Sequence, residues 1–220
     1  ATRHGNTPVR RGDKLCGTRV IPLVIPEEQL RRAEEAAGGA PLLELLPYQL
    51  KTAGVITTGS EVAKGLIQDA FTPVVERKLA ACGIAMTEHR VVGDGVEAIA
   101  DAIAQVRAAG VDLILCTGGM SVDPDDNTPG AVKRSGARIV TYGAPVLPGA
   151  MFLLGYFDDG TPIMGLPGCV MYASTTVFDL VLPRVAAGVP VTRADIAEMG
   201  EGGLCLGCGT CTYPNCGFGK

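Results

Sequence analysis

The segment VDLILCTGGMSVDPDD, residues 111–126, decides the fold. Residues 111–116 are apolar except for Asp112, which predicts a strand buried inside a sheet. The strand runs into Thr117, Gly118 and Gly119. Two glycines at a strand end let the backbone approach a ligand and present N–H groups to an anion.

Carboxylates follow this glycine pair at Asp123, Asp125 and Asp126. A glycine pair alone is more often an ordinary turn at the exit of a strand. Neighbouring carboxylates repel one another unless they are solvated or share a cation. The combination therefore favours a binding site over a simple turn.

Outward from this segment, the chain alternates between strand and helix patterns. We predict strands at 53–57, 84–92, 111–116, 137–141, 151–157 and 162–166, and helices at 72–82, between 94 and 110, at 129–134 and at 169–187. Such alternation predicts a three-layer α/β/α fold around a mostly parallel sheet. Ligands bind such sheets beyond the C-terminal ends of the strands.

Further carboxylates follow the first two strands. Glu61 and Asp69 come after the first strand, and Asp94 ends the second. Each alone is more often a helix cap or a solvated group. Together with Asp126 they would line one crevice able to handle Mg²⁺ or an oxyanion.

Another loop, at 166–169, begins the last predicted helix. Cys169 there would feel the positive end of the helix dipole, which lowers a thiol pKa. The alternative is a small buried side chain without chemistry. Both interpretations stay open from the sequence.

The ends of the chain differ in pattern from its centre. Residues 1–49 combine an extended arm, which we expect to pack on the main domain, with a charged helix at 27–37; 50–190 form the α/β domain and 191–220 a linker and cysteine-rich tail. The chain opens on Ala1 rather than Met, so we expect a longer N-terminal region in the parent protein.

Charge and hydropathy exclude two classes of partner. The formal net charge is −4 and no run of Lys or Arg stands out, so we expect no nucleic-acid binding. No apolar stretch reaches the roughly 18 residues that span a bilayer, so we expect no membrane insertion.

Cysteine usage indicates a reduced, cytoplasmic protein with one metal site. The chain has 8 cysteines; four are scattered, and Cys205, Cys208, Cys211 and Cys216 crowd together near the C-terminus. The tight spacing resembles an iron–sulfur ligand run, whereas structural zinc takes its ligand pairs from two separated turns. We favour an iron–sulfur cluster and keep Zn²⁺ as the alternative.

Five motifs in order carry a family resemblance. They are TTGSEV at 57–62, GLIQD at 65–69, VVGD at 91–94, TGGMSVDPDD at 117–126 and MGLPG at 164–168. With this spacing, residues 53–188 resemble the molybdopterin-binding domain of the adenylyltransferases and molybdenum-insertion proteins of cofactor biosynthesis. Residues before this domain resemble a subgroup that ends in a cysteine-rich tail.

The resemblance implies roles for particular residues. It implies functional carboxylates at Glu61, Asp69, Asp94 and Asp126, and cofactor-binding positions at Thr58, Gly59, Thr117, Gly118, Gly119, Ser121, Pro167 and Gly168. The implied ligands are molybdopterin or its adenylylated form, with Mg²⁺ and molybdate. A homo-oligomer and a molybdoenzyme partner are also implied.

Some positions depart from the family pattern. Two lysines that flank a Pro-Gly pair in the insertion enzymes are Leu147 and Ala150 here, the Asn-Pro after the Leu-Pro-Gly is Cys169-Val170, and an expected Asn is Phe71. These changes leave binding more plausible than full catalysis.

Three hypotheses follow for the function of the domain. The first is a Mg²⁺-dependent molybdenumtransferase or adenylyltransferase-like enzyme. The second is a non-catalytic carrier or sensor with an iron–sulfur tail. The third is a nucleotide pyrophosphatase on the same fold.

Overall fold

The computed structural model describes residues 1–63, 66, 69–121, 123 and 126–220. It divides into two compact units, Ala1–Pro47 and Tyr48–Lys220. In the first unit, helix α1 spans Glu27–Ala37, as its pattern predicted, and ends at Gly38 with φ 76°. Across the described ranges no helix is both long and apolar enough to cross a bilayer.

The second unit holds the sheet and the remaining helices. Its strands are β1 Thr52–Thr58, β2 Ala85–Val92, β3 Leu113–Thr117, β4 Arg138–Tyr142, β5 Leu153–Tyr156 and β6 Pro162–Leu166. Its helices are α2 Ser60–Ala63, α3 Thr72–Ala81, α4 Val96–Ala108, α5 Thr128–Arg134, a 3₁₀ helix Gly168–Met171, α6 Val177–Ala186 and α7 Arg193–Glu198.

Six strands of the described chain form one sheet in the order β2-β1-β3-β6-β5-β4. The pairs β1–β2, β1–β3 and β3–β6 are parallel, and only β5 runs against the others. Helices α3 and α6 contribute to one apolar cluster, and α4 and α5 to a second cluster on the opposite face. The predicted three-layer fold with a mostly parallel sheet is confirmed.

The prediction of one long helix at 169–187 is wrong. A 3₁₀ helix at Gly168–Met171 and helix α6 share this range, separated by residues 172–176. Thr176 begins α6 through a capping box: its hydroxyl accepts from the Phe178 N–H, and Asp179 accepts from the Thr176 N–H at 2.7 Å. This local start signal is stronger than the continuous apolar pattern.

Candidate functional site

Four loops leave the sheet side by side at the C-terminal ends of parallel strands. In the sheet register Thr58 pairs with Val92, and Thr117 pairs with both Thr57 and Leu166. The loops that follow β1, β2, β3 and β6 therefore begin next to one another. This edge carries most of the positions singled out in the sequence.

The glycine pair after β3 takes up a conformation that disfavours other residues. Gly118 and Gly119 have φ angles of 86° and 54°, in the left-handed region. A Cβ on Gly118 would lie 2.3 Å from the Thr58 carbonyl oxygen, and one on Gly119 would lie 2.8 Å from Thr128 Oγ1. The loop thus lies directly against the end of β1.

Thr128 holds this loop in place. Its hydroxyl donates to the Gly118 carbonyl at 2.9 Å and lies 3.5 Å from the Thr58 hydroxyl. Thr128 is fully buried at the start of α5. Sequence reasoning missed it, because a threonine in a helix start carries no local sign of a distant contact.

Asp94 joins three of the loops. Its carboxylate accepts from the Ser60 N–H at 2.9 Å, and its carbonyl accepts from Asn127 Nδ2 at 2.9 Å. Glu61 follows Ser60 on α2 and is exposed. The structure therefore brings Glu61 and Asp94 to the same edge as the glycine pair.

Asp126 folds back on the loop after the glycines. It accepts from the Ser121 backbone N–H and from the Ser121 hydroxyl, the latter at 2.6 Å. Tyr142, at the end of β4, donates to the Ser121 carbonyl at 3.3 Å. Burial, with the negative charge of Asp126 as a second cause, raises the pKa of Tyr142 above its ordinary value. The tyrosine therefore stays a hydrogen-bond donor at neutral pH.

Asp69 is already bonded within the protein. One of its oxygens accepts from the N–H groups of Phe71 and Thr72 at 2.8 and 3.0 Å, and the other accepts from the hydroxyls of Thr72 and Thr57. Burial raises its pKa, but these bonds outweigh that effect and leave the pKa below its ordinary value. His89 Nε2 lies 3.0 Å from Thr57 Oγ1 and completes the group. In this arrangement Asp69 fixes the start of α3.

A buried hydroxyl beside the glycine pair has no hydrogen-bond partner within the described part of the chain. It belongs to Thr117, which is 0% exposed. Alternation along β3 places its side chain on the same face as Leu115, towards α3 and the 3₁₀ helix. Buried hydroxyls normally find a partner, so this atom suits a ligand group at the strand ends.

The Pro167–Gly168 turn follows β6 and starts the 3₁₀ helix, where the Pro167 carbonyl accepts from the Val170 N–H at 3.1 Å. Of the two interpretations left open for Cys169, the structure favours the partly buried side chain over the thiol with a lowered pKa. Burial raises the pKa of this thiol and outweighs the opposing effects of a backbone hydrogen bond and Lys78. A four-residue 3₁₀ helix supplies little dipole to offset that burial.

Some predicted positions lie outside the described residues. They are Gly65, Ile67 and Gln68 in the motif at 65–69, and Val122, Pro124 and Asp125 in the motif at 117–126.

The comparison with protein families decides the relationship. Residues 54–187 match the family model described as "Probable molybdopterin binding domain". The chain belongs to this family. This molybdopterin-binding domain comprises the whole sheet apart from the first two residues of β1.

Individual relatives match a smaller part of the chain than the family model does. A CinA-like protein from Desulfosudis oleivorans is 36% identical over 86 residues, which is 39% of this chain and 21% of that protein. A CinA-like protein from Mycobacterium avium is 33% identical over 94 residues, 43% of this chain and 22% of that protein. The chain spans about a fifth of the length of these curated relatives.

The solved structure of the molybdopterin biosynthesis enzyme MoaB from Thermus thermophilus matches with a TM-score of 0.50 at 21% identity. The match covers 64% of this chain and 99% of that one. At this identity the likeness shows the fold alone.

Beyond the molybdopterin-binding domain, the cysteine-rich tail folds onto the same unit. Leu147 and Leu204 form a parallel bridge, and Cys205 N–H donates to the Leu147 carbonyl at 2.8 Å. Tyr213 donates to the Asp179 carbonyl at 2.9 Å, and Phe218 is 5% exposed within the core. These contacts attach the tail to the α/β unit.

The four tail cysteines line one cavity of about 470 Å³. All four are free thiols. Among the described residues, no three His, Cys, Asp or Glu side chains are grouped closely enough to hold a single metal ion. This applies to the predicted Mg²⁺ ligands as well as to the tail.

Proposed function

We propose that the domain binds molybdopterin, or adenylylated molybdopterin, in the crevice at the strand ends. The observation that carries the proposal is the Gly118–Gly119 turn, which lies against Thr58 beside the unpartnered hydroxyl of Thr117. Backbone N–H groups of this glycine turn would bind the terminal phosphate, since backbone amides without side chains in the way are common anion ligands. Membership of the family supports the pterin as the ligand.

Neighbouring groups would complete the binding site. The Ser121 hydroxyl would donate to the same phosphate once it is released from Asp126. Gly59 and the Pro167–Gly168 turn flank the crevice at adjacent strand ends. Thr58 and Thr128 would act by holding the glycine turn rather than by touching the ligand.

We further propose that the domain catalyses molybdate insertion or nucleotide-linked processing of the pterin. Glu61, Asp94 and Asp126 would orient Mg²⁺ or molybdate, since carboxylate oxygens are the ligands that hard cations prefer. Asp69 would reach a cation only by giving up its bonds to α3. Bound Mg²⁺ would supply charge stabilisation of a phosphoryl group during cleavage.

Asp126→Ala tests this role. We expect AMP release from adenylylated molybdopterin, with Mg²⁺ and molybdate present, to fall by at least about 100-fold while the thermal midpoint stays near wild type. Asp101→Ala is the matched control, because Asp101 is an exposed carboxylate on α4 away from the strand ends. Unchanged release in Asp126→Ala would refute the assignment.

One observation favours a non-catalytic carrier instead. Leu147 stands where the resemblance implies a lysine, and its backbone is bonded to Gly203 and Cys205 of the tail. The position thus lacks a phosphate-binding charge. A carrier would bind the pterin and release no AMP, whereas turnover of dinucleotides without pterin would indicate a pyrophosphatase.

The four thiols of the tail are a ligand set of the kind that soft metals bind, as an iron–sulfur cluster or as zinc. A molybdoenzyme partner, homo-oligomer formation and a cytoplasmic location stay predictions. So does membership of the subgroup with a cysteine-rich tail.

A further inference from the structure

We infer that Cys205, Cys208, Cys211 and Cys216 hold one [4Fe–4S] cluster in a site separate from the pterin crevice. The inference goes beyond the proposed function, because it concerns the tail alone. The spacing of the four cysteines by itself also allows zinc, and the cavity that they line favours the cluster.

The composition of the cavity wall limits the metal. Among the described residues that line it, cysteine is the only type that binds metals strongly; the rest are small, apolar or hydroxyl-bearing residues and Tyr213. A ligand set of thiolates alone selects zinc, Cu(I) or iron–sulfur clusters over hard cations. The Tyr213 hydroxyl donates to the Asp179 carbonyl at 2.9 Å, so it is already bonded within the protein.

The size of the cavity separates the two main candidates. A zinc ion sits about 2.3 Å from each thiolate, so four sulfurs would close around it and leave no cavity. Here the four cysteines are among the residues that line one cavity of about 470 Å³. A cube of four irons and four sulfides holds its four thiolate ligands further apart than a single ion does. A cavity of this volume has room for a cluster, which is larger than a single ion.

The surrounding contacts suit a bound cluster. Thr175 Oγ1 lies 3.2 Å from Cys211 Sγ, so its hydroxyl can donate to a thiolate ligand. Hydrogen bonds of this kind stabilise the reduced, more negative form of a cluster. Cys208 and Cys211 are exposed, so iron and sulfide can reach the site from solvent.

The pterin crevice and the tail meet at one loop. The bridge between Leu147 and Leu204 places Cys205 next to the loop that leads into β5, whose N-terminal end lies at the ligand edge. The site itself uses none of the residues assigned to the pterin. Cluster loading can thus be measured without any pterin present.

Reconstitution of the full chain tests the inference. Under anaerobic conditions with equal amounts of ferrous and ferric iron and with sulfide, we expect about four irons and four sulfides per chain and a broad visible charge-transfer band. Cys208→Ser should lower bound iron at least twofold. Cys16→Ser is the matched control, since Cys16 is also exposed but lies in the first unit.

Two results would overturn the inference. One is a colourless protein that retains a single zinc ion, replaceable by Co²⁺, after the same treatment. The other is equal iron loading in Cys208→Ser and Cys16→Ser. Circular dichroism checks that Cys208→Ser is folded, and Cys211→Ser repeats the measurement at the second exposed ligand. Because no pterin is added, failure here leaves the proposed crevice untouched.

Discussion

Gly118→Ala places a methyl group where the structure has no space for one. The added Cβ would lie 2.3 Å from the Thr58 carbonyl oxygen and 2.7 Å from Thr58 Oγ1. The first of these atoms belongs to the backbone at the end of β1 and cannot rotate away. The residue would also keep a φ of 86°, which disfavours alanine.

Two other glycines separate these effects. Gly110 has a φ of 77° with nothing within 4 Å of an added Cβ, so Gly110→Ala measures the backbone cost alone, about 1 kcal/mol. Gly130 lies inside α5 without either constraint, so Gly130→Ala should stabilise the protein by about 0.5–1 kcal/mol. Overpacking adds about 1–3 kcal/mol, so Gly118→Ala should cost about 2–4 kcal/mol in total.

Thermal unfolding followed by circular dichroism measures the series. At about 2–4 °C per kcal/mol, Gly118→Ala should lower the midpoint by roughly 5–15 °C. Molybdopterin affinity should fall in this variant and stay unchanged in Gly110→Ala and Gly130→Ala. If Gly118→Ala unfolds like Gly110→Ala and binds like wild type, the close approach to β1 is not what shapes the loop.

Two further changes test the framework around the site. Burial raises the pKa of Asp112, but hydrogen bonds from two N–H groups and a hydroxyl at the start of β1 outweigh it and leave the pKa lowered. Asp112 thus contributes stability that is present above about pH 4 and lost as pH falls through its folded pKa, so Asp112→Asn should cost about 1–2 kcal/mol at pH 7 and much less at pH 3 in urea unfolding. Phe218→Ala should cost about 3–5 kcal/mol by urea unfolding, because the ring is 5% exposed. Leu206→Ala, with a side chain 84% exposed in the same tail, should cost nothing measurable, and equal costs would show that Phe218 does not anchor the tail.

The strand pattern was predictable because apolar runs and glycine stops repeat along the chain. Each predicted strand at 53–57, 84–92 and 162–166 corresponds to one in the structure within a few residues. The break before α6 was less visible. Thr176 and Asp179 form a start signal, but it stands inside an apolar stretch that continues the helical pattern. Helix α7 has the same signal at Thr192 and Asp195.

The candidate site was predictable only at its glycines and carboxylates. Each of these residues alone has ordinary uses, but their recurrence at the ends of several predicted strands indicates a binding site from the sequence. Thr128, His89 and Tyr142 reach the site from other parts of the chain and have no local signature. Asp69 was visible as a carboxylate, but its bonds to the first turn of α3 depend on the path of the backbone.

Gly54, near the start of β1, links the packing of the core to the crevice at the strand ends. A Cβ there would lie 2.1 Å from Val106 Cγ1, so α4 rests directly on the strand backbone. The same helix begins at Val96, two positions after Asp94, while the strand leads to Ser60, whose N–H meets that carboxylate. The absence of a side chain at Gly54, about 13 Å along the strand from the crevice, thus lets α4 lie close to β1. A larger residue at position 54 would push α4 away from β1. Because α4 begins next to Asp94, this change in the core would alter the crevice without changing any of its polar atoms.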